Sequence, residues 1–319
     1  MANDLGLPLE DSPYRLDDNP PIFILGCPRS GTTFLSDCVG GIKGVEEYVG
    51  ILAPPRMMHL IGSMTEDGER FGNPNASAVK TLMQSIRDIF WQSFWRRRYY
   101  RGERLKNLYY RNNSLQEFLR PPSMDDAVFC YKEPFLCFAA EAFAEEFTNA
   151  RFVHIIRDGR DNADSMVRRY PDALSDRVLQ SPELTQNKIS EVGPYDMVDG
   201  TIVPWWVPAA DRDSFIHADP FVRYAIMWRE MVLRARRLAP LGPDRYLEVK
   251  YEDFVSSPIE EAEKILAFLG NRMSPALRKR LEKARTGSIS IAKQNQGEEK
   301  YRAATSAAED LLRELGYAV

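Results

Sequence analysis

Short, continuous apolar runs alternate with longer amphipathic stretches along most of this chain. The runs are Ile22 to Leu25, the segment AVFCY ending at Tyr131, Phe152 to Ile156, and the segment RYLEV ending at Val249. Runs of this length are typical of strands buried on both faces of a parallel sheet, and the stretches between them are typical of covering helices. The pattern predicts an α/β fold whose central parallel sheet is flanked by helices on both faces.

The longest amphipathic stretch begins at Ala76, with Asn75 as its cap, and closes at a basic cluster at residues 96–98. Further helices are predicted at residues 221–238 and at about 258–269. A basic cluster at this place is typical of a helix C-terminus, where it balances the helix dipole. Contact with an acidic acceptor or with a cofactor edge is the alternative role.

Two regions interrupt the alternation. Residues 57–75 resemble a loop, and residues 171–217 contain prolines and tryptophans with little periodicity, which predicts a long ordered loop or lid. We therefore expect a single domain over residues 21–319, with insertions at about 57–122 and 171–217. An arm with little secondary structure precedes it at residues 1–20.

The segment that follows the first apolar run, residues 26–33, combines glycines, an arginine and hydroxyl side chains. As a strand, a loop and a helix start, it presents the unpaired backbone N–H groups of Ser30, Gly31, Thr32 and Thr33. The helix dipole favours negative charge at this position, and Arg29 adds a guanidinium that binds oxyanions in a forked geometry. We expect this P-loop to bind phosphate or sulfate.

The glycine spacing of the loop matches the nucleotide-binding pattern GxxxxGK[ST], but Thr32 stands where that pattern has its lysine. A nucleotide triphosphatase needs the lysine at its β- and γ-phosphates, together with Mg²⁺. Here the cation is Arg29, inside the loop, which favours transfer of a phosphate-like group without a dedicated metal. A strand-to-helix turn without a ligand is the alternative, but these residue types are poor choices for a purely structural turn.

Composition limits the partners and the compartment. The 319 residues are 44% hydrophobic, enough for a sizeable core, and the net charge of −4 gives no general attraction to nucleic acid or anionic membranes. No stretch approaches the roughly 18 apolar residues of a membrane span, and the acidic amino terminus is unlike a signal peptide, so we expect a cytoplasmic protein. Four cysteines without a CxxC pair and three scattered histidines predict no metal site.

Charged side chains follow two more of the predicted strands. Lys132 and Glu133 come directly after the run ending at Tyr131, and Arg157 comes directly after Ile156, with Ser165 eight positions later. Ligands of open α/β sheets bind at the carboxyl ends of the strands. These residues are therefore candidates for the same anionic ligand as the loop.

Together these three segments resemble the sulfotransferases that use 3′-phosphoadenosine 5′-phosphosulfate (PAPS). In that family a loop of the PRSGTT or PKSGTT kind binds the 5′-phosphosulfate, and an Arg followed eight positions later by a Ser binds the 3′-phosphate. This chain has PRSGTT at residues 28–33, and Arg157 and Ser165 at the second spacing. The resemblance implies PAPS as the sulfuryl donor and requires no metal.

The order of motifs is most similar to that of the tyrosylprotein sulfotransferases and their bacterial relatives. The shared features are PRSGTT, an EE pair at residues 46 and 47, a K-acidic-P-F segment, RDGR, a YE strand and a terminal LGY. They cover most of the region from Pro21 to Tyr317. The chain departs from the Golgi enzymes in showing no membrane anchor or disulfide framework, and it has its own segment from about Ala76 to Pro122. The acceptor therefore cannot be carried over.

By residue, the resemblance implies that Arg29 and Lys132 contact the transferring sulfuryl group and that Glu47 is the general base. It assigns donor binding to Arg29, Ser30, Gly31, Thr32, Thr33, Arg157 and Ser165. Ser288, Ser290 and Lys293 of the carboxyl-terminal loop are further candidates to close over the donor. His59 is the rival base, because the cytosolic branch of the family uses a histidine. No family motif supports it, and a lone histidine is more often structural.

We therefore expect a sulfotransferase that moves a sulfuryl group from PAPS to a hydroxyl or amine. The alternatives are a P-loop kinase-like nucleotide enzyme, disfavoured by Thr32, and an inactive nucleotide-binding interaction module, disfavoured by the intact Lys132 and Glu47. A small-molecule acceptor is expected first, with a peptide tyrosine or a glycan next. Aromatic residues of the insertions are candidates for an acceptor pocket, the core or a homodimer contact: Trp91, Trp95, Tyr99, Tyr100, Trp205 and Trp206.

Overall fold

A computed structural model describes residues 19–50, 52–66, 75–99, 127–187 and 189–319. The strands are β1 Ile22–Leu25, β2 Val45–Val49, β3 Val128–Lys132, β4 Arg151–Ile156, β5 Tyr195–Val198, β6 Thr201–Pro204 and β7 Tyr246–Lys250. The helices are α1 Thr32–Val39, α2 Pro55–Glu66, α3 Asn75–Tyr99, α4 Ala140–Glu146, α5 Gly159–Arg169, α6 Asp176–Leu179, α7 Pro182–Gln186, α8 Ile189–Val192, α9 Arg212–His217, α10 Pro220–Arg236, α11 Tyr251–Ser256, α12 Pro258–Leu269, α13 Pro275–Leu281, α14 Ala292–Gln296, α15 Glu298–Ala307 and α16 Glu309–Glu314. Short 3-10 helices span Pro134–Ala139, Ala209–Asp211 and Ala239–Leu241.

The central sheet has the strand order β2-β3-β1-β4-β7, and every pair of neighbours in it is parallel. This confirms the parallel sheet predicted from the apolar runs. Strands β5 and β6 form a separate antiparallel hairpin.

Successive side chains of each strand enter different cores, because a strand presents alternate residues to opposite faces. On one face Phe23 and Phe152 stack with ring centroids 5.4 Å apart, and Phe23 also contacts Phe143 of α4 at 5.3 Å. On the other face Ile24 packs in a cluster with Leu35 of α1 and Ile265 of α12. Helices thus cover both faces, as expected, and the strand ends are left as the edge at which a ligand can bind.

Strand β1 lies at the centre of the sheet, between β3 and β4. From β1 the chain turns first to β2 on one side, and later crosses to β4 and β7 on the other side. The strand order therefore reverses between β1 and β4, and open α/β sheets bind ligands in the crevice at such a reversal. The loop at residues 26–31 and Arg157 both lie at this edge.

The two predicted loop regions contain more regular structure than expected. Helix α2 covers residues 57–66, so the prediction of a loop was wrong there: Pro55 suits a first helical turn, and Met58 and Ile61 are buried one turn apart. The region 171–217 contains short helices and the β5–β6 hairpin rather than one irregular loop. Residues 1–18 of the predicted arm and residues 100–126 of the first insertion, Tyr100 among them, lie outside the described residues.

The predicted long helix is confirmed, since α3 runs from Asn75 to Tyr99. Its basic end lies against β2: Arg97 donates to the Glu47 carbonyl at 2.6 Å, and its guanidinium lies 3.6 Å from the centre of the Tyr48 ring. The cation–π contact and the hydrogen bond fix the edge strand to this helix.

Candidate active site

The loop after β1 has a backbone that excludes side chains at two glycines. A Cβ on Gly26 would lie 2.5 Å from the carbonyl oxygen of Ile155 in β4, and one on Gly31 would lie 2.6 Å from the Tyr251 ring. Gly31 has φ of 93° and is the residue that precedes helix α1. Both positions therefore require glycine, because neighbouring atoms leave no room for a Cβ and the backbone has a positive φ that glycine tolerates. The loop lies tightly against β4 and α11.

The loop leads directly into the amino terminus of α1. No side chain caps this end, and Thr32 and Thr33 are its first residues. The first N–H groups of a helix have no intrahelical partner and carry the positive end of the helix dipole. An anion bound above the loop would satisfy them, as expected from the sequence.

Arg29 connects the loop to the second predicted phosphate site. Its Nε donates to the Ser165 Oγ at 3.2 Å across 136 residues of sequence, and its own carbonyl accepts a hydrogen bond of 3.0 Å from Arg157. Arg29 has φ of 71°, in a region that non-glycine residues rarely adopt. The structure thus brings Arg29, Arg157 and Ser165 together, with Arg29 exposed and the other two buried.

Arg157 is a buried guanidinium, only 3% exposed. Besides the Arg29 carbonyl it donates to the Ser288 carbonyl, and it lies 4.9 Å from the centre of the Tyr251 ring. Its Nε is buried and has no hydrogen-bond partner among the described residues. A buried N–H without a partner is costly, and a bound oxyanion would supply the missing acceptor.

Asn162 on α5 holds the loop in place, a role that sequence reasoning missed. Its amide donates to the Pro28 carbonyl at 2.8 Å and to the Ser30 Oγ at 2.9 Å, and its carbonyl oxygen accepts a weak bond of 3.3 Å from the Cys27 thiol. Asn162 is fully buried. The only signal in the sequence is its position three residues before Ser165, which places both on one face of a helix.

The carboxyl-terminal loop is attached to the same helix. The Asp161 carboxylate accepts hydrogen bonds from the backbone N–H groups of Ser290, Ile291 and Ala292. The Ser288 Oγ is 2.9 Å from the Tyr251 hydroxyl. Lys293 is half-exposed and pairs with Glu298 at 2.8 Å. The loop therefore reaches Arg157 through Ser288, whereas the side chains of Ser290 and Lys293 are exposed.

Lys132 ends strand β3, opposite Ile24 of β1 and Val49 of β2. It is 7% exposed, and no hydrogen bond or ion pair to its ammonium occurs among the described residues. Burial lowers the pKa of Lys132, while the charges of Glu133 and Glu47 oppose that change. A buried cation at the strand end suits an anionic ligand.

Glu47 lies on β2, the strand next to β3. It pairs in register with Cys130, two residues before Lys132, and its carboxylate accepts a hydrogen bond from Ser36 in the second turn of α1. A Cβ on Gly40, at the far end of α1, would lie 2.8 Å from Glu47 Oε2. Glu47 shares a face of the sheet with Lys132 and its charge acts on Lys132, and its role as the general base stays a prediction.

His59 and the tryptophans of the second insertion form a packed group. His59 Nδ1 accepts a hydrogen bond of 2.9 Å from Trp205 Nε1, and the imidazole packs against Phe138 at 4.7 Å. His59 and Trp206 are fully buried. These contacts fit the structural role that is usual for a lone histidine.

An open cavity of about 640 Å³ lies beside Trp205. Arginine and glutamate side chains line most of it, and they are paired: Arg234 with Glu66 and Glu230 at 2.6 Å, and Arg237 with Glu66 at 2.6 Å. Because these charges already neutralise one another, the cavity offers a polar surface rather than a second anion site.

The thiols and the acidic residues of the described ranges form neither a disulfide nor a cluster of metal-ligand type. The four cysteines are buried and unpaired, and burial raises the pKa of Cys27 well above its ordinary value, so the thiol stays protonated. No group of three or more histidine, cysteine or acidic side chains in the described part could hold a metal ion. Likewise, none of the helices seen there is both long and apolar enough to cross a bilayer.

The fold is a P-loop-containing α/β fold, with the loop after β1 beside a buried arginine that follows the neighbouring strand β4. The profile of the family described as "Sulfotransferase family" matches residues 20–183 and 209–275, which is most of the chain. The chain therefore belongs to the sulfotransferase family. The family match omits residues 184–208, which include the β5–β6 hairpin and both tryptophans of the second insertion.

Several solved structures are similar to the chain at low sequence identity. The sulfotransferase domain of the Synechococcus PCC 7002 olefin synthase is 18% identical with a TM-score of 0.49, and the alignment covers 94% of this chain and 96% of that one. Mouse sulfotransferase SULT7A1 complexed with PAP is 14% identical with a TM-score of 0.44, and the alignment covers 93% of this chain and 88% of that one. No curated protein sequence matches the chain.

Proposed function

We propose that the protein is a PAPS-dependent sulfotransferase that moves a sulfuryl group to a hydroxyl or amine. The observation that carries the proposal is that hydrogen bonds connect the two predicted anion sites. Arg29 in the loop bonds to Ser165, and Arg157 bonds to the Arg29 carbonyl while its Nε has no partner among the described residues. A nucleotide with phosphate groups at both its 5′ and 3′ positions would occupy both sites at once.

The residues present fit the two ends of such a donor. The amino terminus of α1 and the exposed Arg29 would hold the 5′-phosphosulfate, since both offer donors to an oxyanion. Arg157 and Ser165 would hold the 3′-phosphate, which PAPS has and ATP lacks. Thr32 at the position of the nucleotide-triphosphatase lysine further disfavours ATP.

Two cations are placed to assist the transfer. Sulfuryl transfer moves charge onto the bridging oxygen of the leaving phosphate, as phosphoryl transfer does. Arg29, whose side chain is bonded to Ser165, and Lys132, which is buried at the end of β3, would stabilise that charge. Preorganised charges of this kind require little rearrangement during the reaction.

The acceptor is a small molecule in this proposal. Peptide tyrosine and glycan acceptors are tested in the same assay.

The proposal is tested with the purified protein, PAP, PAPS and a panel of phenols, alcohols and amines. We expect PAP to bind in calorimetry, and PAPS to be converted to PAP faster in the presence of an acceptor. Arg29→Ala should lower turnover at least about 10-fold, which corresponds to the loss of one charge-assisted contact. Arg177→Ala, at a side chain that is 70% exposed, is the matched control and should behave as wild type. Tight binding of ATP with Mg²⁺ and none of PAP would contradict the proposal.

A further inference from the structure

Three motifs of the sequence lie far apart along the chain, and Arg157 is their only member with a role in the proposed function. They are RDGR at residues 157–160, the YE pair at residues 251 and 252, and LGY at residues 315–317. In the structure, hydrogen bonds join all three at the turn between β4 and α5, which carries Arg157. Their meeting at this turn indicates a common role beside the predicted 3′-phosphate site.

Glu252, in the first turn of α11, binds the backbone next to Arg157. Its Oε1 accepts a hydrogen bond of 2.9 Å from the Asp158 N–H, which belongs to the peptide unit that joins Arg157 to Asp158. The residue before it, Tyr251, meets the other end of the arginine, since its ring centre is 4.9 Å from the guanidinium. Two adjacent residues of α11 thus hold Arg157 by its backbone and by its guanidinium.

The second carboxylate oxygen of Glu252 is held by Tyr317. The Tyr317 hydroxyl donates to Glu252 Oε2 at 3.0 Å. Burial and the nearby Glu252 carboxylate raise the pKa of Tyr317 well above its ordinary value, so the hydroxyl keeps its proton and remains a donor. Because both oxygens of Glu252 are bonded, the orientation of its carboxylate depends on Tyr317.

The position of Tyr317 is set by the end of α16. The Gly316 N–H donates to the Arg313 carbonyl at 2.9 Å and the Tyr317 N–H donates to the Leu312 carbonyl at 2.8 Å, which are the two bonds of a Schellman cap. Gly316 has φ of 75°, the left-handed conformation that this cap needs. The LGY motif therefore ends the helix and places the Tyr317 side chain on Glu252.

A second link joins the same segment to the same turn. Arg160 is 4% exposed, and it binds the Asp158 carboxylate through two nitrogens at 2.9 and 2.6 Å. Its remaining terminal nitrogen donates to the Ala318 carbonyl at 2.7 Å. Residues 317 and 318 therefore reach the Asp158 turn by two routes, one through Glu252 and one through Arg160.

From these contacts we propose that Glu252 and Tyr317 are positioning residues of the 3′-phosphate site. Tyr317 orients the Glu252 carboxylate, and Glu252 holds the peptide unit of Arg157 so that the guanidinium meets the phosphate. This assignment rests on the proposed function. Both residues act through Arg157, so their loss should weaken binding of a nucleotide that has a 3′-phosphate and spare one that lacks it.

The test is calorimetric affinity for PAP and for AMP, which lacks the 3′-phosphate, in Tyr317→Phe, Glu252→Gln and the double variant. Each single change should weaken PAP binding about 5-fold, as expected for one hydrogen bond, with AMP affinity within about 2-fold of wild type. The double variant should be about as weak as the weaker single variant, because both changes break one connection. Tyr170→Phe, which removes a hydroxyl just beyond the opposite end of α5, is the matched control and should behave as wild type.

Three results would overturn the assignment while leaving the enzyme a sulfotransferase. They are unchanged PAP affinity in both single variants, equal losses for PAP and AMP, and additive losses in the double variant. Tyr317→Phe removes only a hydroxyl, so it provides the comparison even if Glu252→Gln fails to fold. A wild-type protein that does not bind PAP, or binds it no more tightly than AMP, would contradict the proposed function itself, and the assignment with it.

Discussion

The two sides of the ligand-binding edge are built differently. At the ends of β1 and β4, polar groups are tied to one another across the chain: Asn162 to the loop, Arg29 to Ser165, and Asp161 to the carboxyl-terminal loop. At the end of β3, Lys132 and Glu133 are buried, and among the described residues the hydrogen bond from the Phe135 N–H to Glu133 Oε1 is the only one to either side chain. The first side is held by hydrogen bonds between distant segments, whereas the second holds two buried charged groups with few hydrogen bonds.

The difference between the two sides is the one expected between groups that only bind a ligand and groups that take part in a reaction. A site that only binds gains affinity when its donors are fixed in advance, because little conformational freedom is then lost. A group that exchanges protons needs an open atom and a pKa near the working pH, and burial provides the latter at some cost in stability. The contrast between the two sides can therefore be tested through stability as well as through activity.

The largest expected effect is at the end of β3, which we call the open side of the edge, in Glu133→Gln. The folded-state pKa of Glu133, about 7, lies above its ordinary value of 4.5, so folding favours the neutral form. That contribution is fully present below about pH 4.5 and is lost as the pH rises through 7. Glutamine is neutral throughout, so the variant should equal wild type near pH 4.5 and exceed it above pH 7 by up to about 3 kcal/mol in unfolding free energy.

Urea unfolding at pH 4.5, 6 and 8 measures this effect, with the exposed Glu145→Gln as the control. A variant that is more stable than wild type at pH 8 but equal to it at pH 4.5 is what burial of the Glu133 carboxyl requires. Equal stability of the variant and wild type at pH 8 would contradict that burial, and the contrast between the two sides would fail.

A smaller effect is expected at the ends of β1 and β4, which we call the closed side of the edge, in Asn162→Asp. The substitution keeps an acceptor for the Cys27 thiol but replaces the amide that donates to Pro28 and Ser30. A carboxylate would then face a carbonyl in a fully buried place beside an anion site. We expect PAP affinity to fall about 30-fold, equal to about 2 kcal/mol, in calorimetry.

The control for this substitution is the exposed Asn187→Asp, which makes the same chemical change just after α7. Unchanged PAP affinity in Asn162→Asp would mean that the loop keeps its shape without this tether. The closed side would then be no more organised than the open one.

The sequence predicted the closed side well where the determinants are local. A loop between an apolar strand and a helix indicates an anion site, and Arg157 was placed at a strand end by the five apolar residues before it. The parallel sheet followed from the same runs. The contact of Arg29 with Ser165, 136 residues away, was implied only by resemblance, because spacing alone does not bring two segments together.

The sequence was less informative about the transfer side. Glu46 and Glu47 were conspicuous as an acidic pair, but strand register and the position of α1 decide what such a carboxylate meets, and neither can be read from a single segment. Glu133 was recognised only as the neighbour of Lys132, since its burial depends on Gly50 and the following 3-10 helix. Asn162 gave only the weak signal of its spacing from Ser165, because a buried tether and a solvated helix residue have the same sequence pattern.

The central claim is that the loop and the Arg157 site bind one nucleotide through two phosphate groups. Its most direct measurement is calorimetric affinity for PAP and for AMP, which lacks the 3′-phosphate, in wild type and in Arg157→Ala. We expect wild type to bind PAP at least about 100-fold more tightly than AMP, and the ratio to fall below about 5 in the variant, because the charge-assisted contacts of one phosphate are lost. Equal affinity of the wild type for PAP and AMP, or a ratio that survives in Arg157→Ala, would contradict the claim.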